Sequence, residues 1–185
     1  MKRRLLPVLL LLLFASGCAS SPQDGYTQDA QRLLSEGRAA EAARLTAAAA
    51  SHEPGSATLA YNHLYALYQG EEYELAATGA ADAFARFPAH LELLRLRARA
   101  LTKAGLEQEA EAAWLQLFAL DPGDQALMAR VMEDAYQHDQ HSLAERLALK
   151  LLASRTWEQQ ALSILSALHP DRWYEAALSY ITDRD

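Results

Sequence analysis

Three evenly spaced prolines constrain the fold of this 185-residue chain more than any other feature. The interval from the first to the second equals the interval from the second to the third, about 34 residues, and a glycine lies near the middle of each repeat. Proline lacks an amide hydrogen and restricts the residue before it, so it ends a helix and begins a turn. The spacing therefore predicts an array of helical hairpins, each with a glycine in its turn. The prolines are Pro54, Pro88 and Pro122, and the glycines are Gly37, Gly70 and Gly105.

The composition supports an all-α fold. Valine and isoleucine together supply only four residues of the chain, whereas alanine, leucine, glutamate, glutamine and arginine dominate it. Strands rely on β-branched side chains to fill their pleated faces, and the residues that dominate here are good helix formers. Sandwiches, barrels and doubly wound α/β folds are therefore excluded.

The repeating units resemble the tetratricopeptide repeat, whose period is about 34 residues. The third unit, about 91–124, carries the large, small, turn, aromatic and proline positions of that pattern at Leu94, Ala98, Leu101, Gly105, Ala110, Trp114 and Pro122. The resemblance implies an all-α, right-handed superhelix of about four to five hairpins. We expect three clear repeats and one degenerate repeat over 26–156, followed by a C-terminal capping hairpin over 157–185. Trp173 and Tyr180 of that hairpin could alternatively form a partner surface.

The N-terminus predicts export and lipid attachment. Lys2, Arg3 and Arg4 precede an apolar run of ten residues, Leu5 to Phe14, which is too short to cross a membrane but suits a signal peptide. The segment that ends at Cys18, the only cysteine, resembles a bacterial lipoprotein signal (lipobox). The resemblance implies cleavage after residue 17, acylation of Cys18 (including palmitate) and, with Ala19 next, the outer membrane. Residues 18–25 are predicted to be a linker. The alternative is an ordinary secretory signal with an incidental cysteine.

Charge and motifs narrow the classes of partner. The chain has 17 basic and 24 acidic residues, and removal of the signal peptide with Lys2, Arg3 and Arg4 makes the remainder still more acidic. Nucleic-acid binding needs a basic footprint, so we expect no nucleic-acid partner. Catalytic and cofactor motifs are not found in the sequence, which predicts neither an enzyme nor a cofactor. His138, Asp139 and His141 have metal-like spacing, but they lie at a predicted hairpin turn and are interpreted as solvated, so no metal is predicted.

The candidate binding surface lies on the first helix of successive hairpins. Residues there share one face by helical spacing, and aromatic and arginine side chains are those that anchor peptide interfaces. Two alternatives stay open: the tyrosines could pack between hairpins, and the basic residues could be a solvated face paired with Glu92. The predicted groove residues are Tyr61, Tyr65 and Tyr68, then Arg95, Arg99 and Lys103, then Glu133 and Tyr136.

Together these patterns predict an outer-membrane-anchored periplasmic scaffold or adaptor. Its partner would be a protein or peptide segment in the groove, it would contact the membrane only through its N-terminal lipid, and it would assist the assembly of an envelope complex. The alternative function is an accessory subunit or enzyme acting on peptidoglycan. That alternative would require a buried acid or histidine in the groove, and only Glu133 has a suitable position.

Overall fold

The computed structural model describes residues 22–172 together with 174, 175 and 178. This part of the chain contains nine α-helices and no strand, which confirms the all-α prediction. The helices are α1 (Pro22–Ser35), α2 (Ala39–His52), α3 (Ala57–Gln69), α4 (Tyr73–Arg86), α5 (Leu91–Lys103), α6 (Glu107–Leu120), α7 (Gln125–Gln137), α8 (His141–Ala153) and α9 (Glu158–Leu168).

The N-terminal predictions lie mostly outside the described residues. The signal peptide, Cys18 and residues 19–21 of the proposed linker lie outside the described residues. Trp173 and Tyr180 of the C-terminal hairpin also lie outside them. Helix α1 begins at Pro22, so residues 22–25, which were expected to form a linker, are helical. Among the described residues, none of the helices combines the length and the apolar character that crossing a bilayer requires.

The hairpin turns share one backbone motif. After α1, the N–H of Gly37 donates to the Leu34 carbonyl and the N–H of Arg38 donates to the Leu33 carbonyl. This pair of bonds is the Schellman motif, in which the residue after the helix takes a left-handed conformation. The same pair of bonds follows α3, α5 and α7, and it also follows α8, at the end of the fourth hairpin. The residues with positive φ at these turns are Gly37, Glu71, Gly105, Asp139 and Arg155.

The left-handed positions correct one detail of the predicted turns. Gly70 was expected to be the turn glycine of the second hairpin, but its φ is −85°, and Glu71 carries the left-handed conformation with φ 65°. With that change, the left-handed residues 37, 71, 105 and 139 follow one another at a constant interval of one repeat. The backbone therefore keeps the period even where the glycine is displaced by one position.

Two kinds of junction join successive hairpins. We call the α2–α3, α4–α5 and α6–α7 contacts the first, second and third junctions. Helix backbones approach closely along the first and second junctions, whereas α6 and α7 make only sparse backbone contact. At the third junction larger buried side chains lie between the helices, so its two hairpins are held together by side chains rather than by close backbones.

Side-chain size accounts for the difference. At the second junction Ala80 and Ala83 of α4 pack with Leu93 and Leu96 of α5. Alanine places no atoms beyond Cβ between the helices, so the backbones can approach. One repeat later, the positions of Ala80 and Ala83 hold Trp114 and Leu117, which are 5% and 1% exposed. A buried indole cannot fit into the space of a methyl group, so the third junction is wide.

Candidate functional site

A groove of about 670 Å³ opens at the third junction. We call it the third-junction groove. It lies between α5 and α7, and residues of α3, α6 and α8 complete its walls. Its lining is Tyr68, Arg95, Arg99, Thr102, Lys103, Trp114, Leu127, Arg130, Val131, Asp134, Ala135, His138, Gln140 and Leu143.

The floor of the groove is apolar and fixed. The indole N–H of Trp114 donates to Thr102 Oγ1 at 3.2 Å, and Thr102 Oγ1 donates to the Ala98 carbonyl at 2.9 Å. The Trp114 ring also stacks on Phe118, with 5.8 Å between ring centroids. Because its one polar atom is satisfied and its ring is packed, Trp114 has a defined position. The groove therefore has a preformed apolar floor.

The rim is mainly basic, with Asp134 as the one carboxylate of the lining, and three of its cations lack an ion-pair partner among the described residues. Arg99 and Lys103 project from α5, Arg130 projects from α7, and all three are exposed. No carboxylate in the part of the chain that the structure describes lies within 4.0 Å of these three charged groups. The Arg99 guanidinium carbon lies 5.1 Å from the centroid of the Tyr68 ring, a cation–π geometry.

Arg95 has a different role from its neighbours. Its Nη2 donates to Asp124 Oδ2 at 2.9 Å, and its Nη1 lies 3.5 Å from Glu92 Oε1. Asp124 is also the N-cap of α7, where Oδ1 accepts the Leu127 N–H at 3.1 Å. Arg95 thus connects α5 to the start of α7 across the third junction. The sequence left open that Arg95, Arg99 and Lys103 form a solvated face paired with Glu92. The structure shows that pairing for Arg95.

The tyrosines form a ladder that meets the groove at one end. Tyr61 stacks on Tyr65 with ring centroids 5.9 Å apart, and Tyr65 stacks on Tyr68 at 6.3 Å. Only Tyr68 lines the groove. Burial, and secondarily the nearby Glu92 carboxylate, raises the pKa of Tyr61 above its ordinary value, so its hydroxyl stays protonated at neutral pH. The ladder is therefore a half-buried aromatic surface beside the basic rim.

Glu133 and Tyr136 do not share this groove. They line a separate cavity of about 410 Å³ together with residues of α9. Glu133 is exposed. It is not the buried acid that the peptidoglycan-enzyme alternative would require. Of the predicted surface, four residues thus lie together in the groove: Tyr68, Arg95, Arg99 and Lys103. Tyr61 and Tyr65 lie beside them in the tyrosine ladder. Glu133 and Tyr136 are separate.

Arg130 was missed in the sequence, although a signal for it was present. It occupies, one repeat later, the position of Leu96, which is a buried residue of the second junction. An arginine at a position that is apolar one repeat earlier cannot fill the same buried site without a partner, so its presence indicates that the third junction is open. Comparing equivalent positions of successive repeats would have found it.

The three residues with metal-like spacing, His138, Asp139 and His141, lie at the turn between α7 and α8. His138 and His141 are exposed; His138 Nδ1 lies 2.8 Å from the Asp134 carbonyl, and His141 Nε2 lies 3.8 Å from Asp139 Oδ1. Among the described residues, no three side chains of the ligand-forming types are placed so that they could hold a metal ion.

Comparison with known proteins gives likenesses of fold. No family model and no curated protein matches the chain. Among solved structures, a double mutant of MamA RS-1 aligns with a TM-score of 0.58 and 16% identity, over 86% of this chain and 94% of that one. The nearly identical TPR-like repeats of a Podosopora anserina kinesin light chain align with a TM-score of 0.58 and 18% identity, over 86% and 91%. These likenesses confirm the tetratricopeptide-type arrangement of helical hairpins that the resemblance implied.

Proposed function

We propose that this chain is a scaffold or adaptor that binds an acidic segment of a partner protein in the third-junction groove. The observation that carries the proposal is the group of three cations, Arg99, Lys103 and Arg130, converging on one groove without ion-pair partners among the described residues. The chain has a formal net charge of −7, so a local group of three cations is exceptional on it. Such a group favours an anionic ligand over a neutral or cationic one.

The floor of the groove indicates what else the partner segment carries. Trp114, Val131 and Leu143 are buried and apolar, and they lie below the basic rim. Interfaces of this kind combine a central apolar anchor with a charged rim. The partner segment therefore presents a bulky apolar side chain flanked by carboxylates. Repeat arrays of helical hairpins form extended concave surfaces that can bind such segments.

The cellular setting is part of the proposal and rests on the N-terminal sequence. The apolar run and the small residues before Cys18 support export and acylation, which would tether the array on the periplasmic face of the outer membrane. A tethered, non-catalytic array with a ligand groove fits an adaptor in the assembly of an envelope complex. Mass spectrometry of the N-terminal peptide tests this setting: the expected result is acylated Cys18, and an unmodified Cys18 contradicts it.

The groove is tested with the double variant Arg99→Glu, Lys103→Glu in the full chain. Both side chains are exposed, so the fold should stay intact while the rim changes sign. We expect at least tenfold weaker capture of the partner from detergent-solubilised envelopes. The weaker binding should come mainly from a slower association rate, and the difference from the unmodified chain should be smaller in high salt. Arg95 is left unchanged because it holds Asp124.

The matched control is Arg155→Glu, Arg172→Glu, which reverses two exposed charges outside the groove. Circular dichroism of each variant verifies that helix content is preserved. Equal capture of the same proteins by both double variants would contradict the proposed site.

A further inference from the structure

A second groove lies on another part of the array, at the first junction. It has a volume of about 600 Å³ and is formed by α2, α3 and the first turn of α4. We call it the alanine groove, and its apolar lining is Ala39, Ala40, Ala43, Ala47, Ala66, Leu67 and Leu75. None of these residues belongs to the third-junction groove, so the two surfaces are separate.

Leu75 is the most exposed of the large apolar side chains that the structure describes, at 60%. It stands in the first turn of α4, and the equivalent positions of the preceding and following repeats hold Glu41 and Glu109. A glutamate in the first turn of a helix is favoured by the helix dipole. A leucine there gives up that stabilisation and adds exposed apolar area to the edge of the apolar groove. A contiguous exposed apolar surface is typical of an interaction site.

The rim of the alanine groove carries both signs of charge. Arg44 lies on one side, and its Nε donates to the Ala40 carbonyl of its own helix at 3.3 Å. Glu71 and Glu72 also line the groove, from the turn before α4. Among the described residues, none of these three side chains has an opposite charge within 4.0 Å.

One patch thus contains an apolar side chain that projects, an apolar groove that can receive such a side chain, and an unpaired charge of each sign. In a two-fold symmetric interface the same patch faces a copy of itself, and this combination is complementary to itself. We infer that a second copy of this chain covers the alanine groove. Leu75 of each copy inserts between the alanines of the other, and Arg44 of each copy faces Glu71 and Glu72 of the other.

The inference is independent of the proposed function, because it uses no residue of the third-junction groove. A dimer formed through the alanine groove presents two third-junction grooves. It therefore binds a partner that carries repeated segments with higher avidity than one copy does.

The test is sedimentation equilibrium of the purified full chain in density-matched detergent, with loading from micromolar to hundreds of micromolar. We expect a concentration-dependent monomer–dimer equilibrium. Leu75→Glu, which installs the residue found in the neighbouring repeats, should weaken the dimer at least tenfold. The control Leu120→Glu changes a leucine that is 53% exposed and lies outside the groove, and it should leave the dimer intact.

Charge reversal tests the arrangement itself. Arg44→Glu alone, or Glu71→Arg with Glu72→Arg, should weaken the dimer, because like charges then face one another. All three substitutions together should restore it. A chain that is monomeric throughout the loading range would overturn the inference, and so would a dimer that responds equally to Leu75→Glu and Leu120→Glu. Single reversals that have no effect on the dimer would also overturn it.

Discussion

The second and third junctions of the array are built on the same repeat framework and yet differ in structure. The second has Ala80 and Ala83 against leucines and brings its helix backbones close together. The third has Trp114 and Leu117 at the corresponding positions, and there the backbones stay apart. The side chains at these two positions therefore decide whether the helix backbones of the second and third junctions approach or stay apart.

The polar residues follow the same division. Leu96 is buried in the closed junction, and one repeat later Arg130 is exposed at the rim of the open one. A wide junction leaves room for water, and a charged side chain can then remain hydrated. In a repeat array the candidate binding site thus lies where one repeat departs from the others, since sites of function are where local regularity is broken.

The largest expected effect comes from removing the residue that holds the third junction open. Trp114→Ala deletes a buried, stacked indole and should lower the free energy of unfolding by about 3–5 kcal/mol. Urea denaturation monitored by circular dichroism measures this loss. Partner capture should fall as well, because the groove loses its floor. A loss below about 1 kcal/mol would show that the indole is not the packing element described here.

The converse change tests the closed junction. Ala83→Leu installs at the second junction the residue found at the corresponding position of the third. Ala83 is fully buried between α4 and α5, so added methyl groups should force the helices apart and cost about 1–3 kcal/mol. Urea denaturation again gives the value. Unchanged stability would mean that the second junction has spare room, and side-chain size would no longer explain the difference between the junctions.

The turns should respond independently of the junctions. Glu71→Gly removes the backbone strain of a non-glycine residue in the left-handed conformation, so it should stabilise the chain by about 1 kcal/mol. Gly37→Ala introduces the same strain at another turn and should destabilise the chain. Thermal unfolding of the two variants measures both effects. If both substitutions change stability in the same direction, the left-handed turn does not account for them.

These turns also illustrate what could be predicted from the sequence. The all-α hairpin array and its period followed from proline spacing, because proline acts locally on the backbone. The exact left-handed residue did not follow, since Gly70 is the obvious candidate and yet the Schellman bonds place Glu71 there. Local backbone geometry is set by the helix end as a whole, and a non-glycine residue can take the strained position when the turn requires it.

The candidate site was predicted only in part, for a different reason. Helical spacing placed Arg99 and Lys103 on one face, and the structure brings them together with Tyr68. The spacing of one helix contains no information about the distance to the next helix. The separation of Glu133 and Tyr136 from the groove, and the pairing of Arg95 with Asp124, depend on how hairpins stack. Those facts required the structure.

The smallest expected effect concerns an exposed pair at the first turn. Arg38 donates to both carboxylate oxygens of Glu41, at 2.8 and 2.6 Å, and this hydrogen bonding lowers the pKa of Glu41 below its ordinary value of 4.5. Its stabilisation is therefore fully present above that ordinary value and is lost as pH falls through the lowered pKa. Glu41→Gln should reduce the thermal midpoint slightly at neutral pH and not in strong acid. Equal reductions under both conditions would contradict the pairing.

Site-specific photo-crosslinking in cells tests most directly whether the open third junction binds the partner. A photoreactive residue replaces Asp134, which lines the groove, or Tyr61, which lies on the tyrosine ladder outside it. We expect an adduct with a heterologous protein from position 134, its loss when Arg99→Glu and Lys103→Glu are added, and no such adduct from position 61. An adduct from position 61 with none from position 134 would contradict the proposed site.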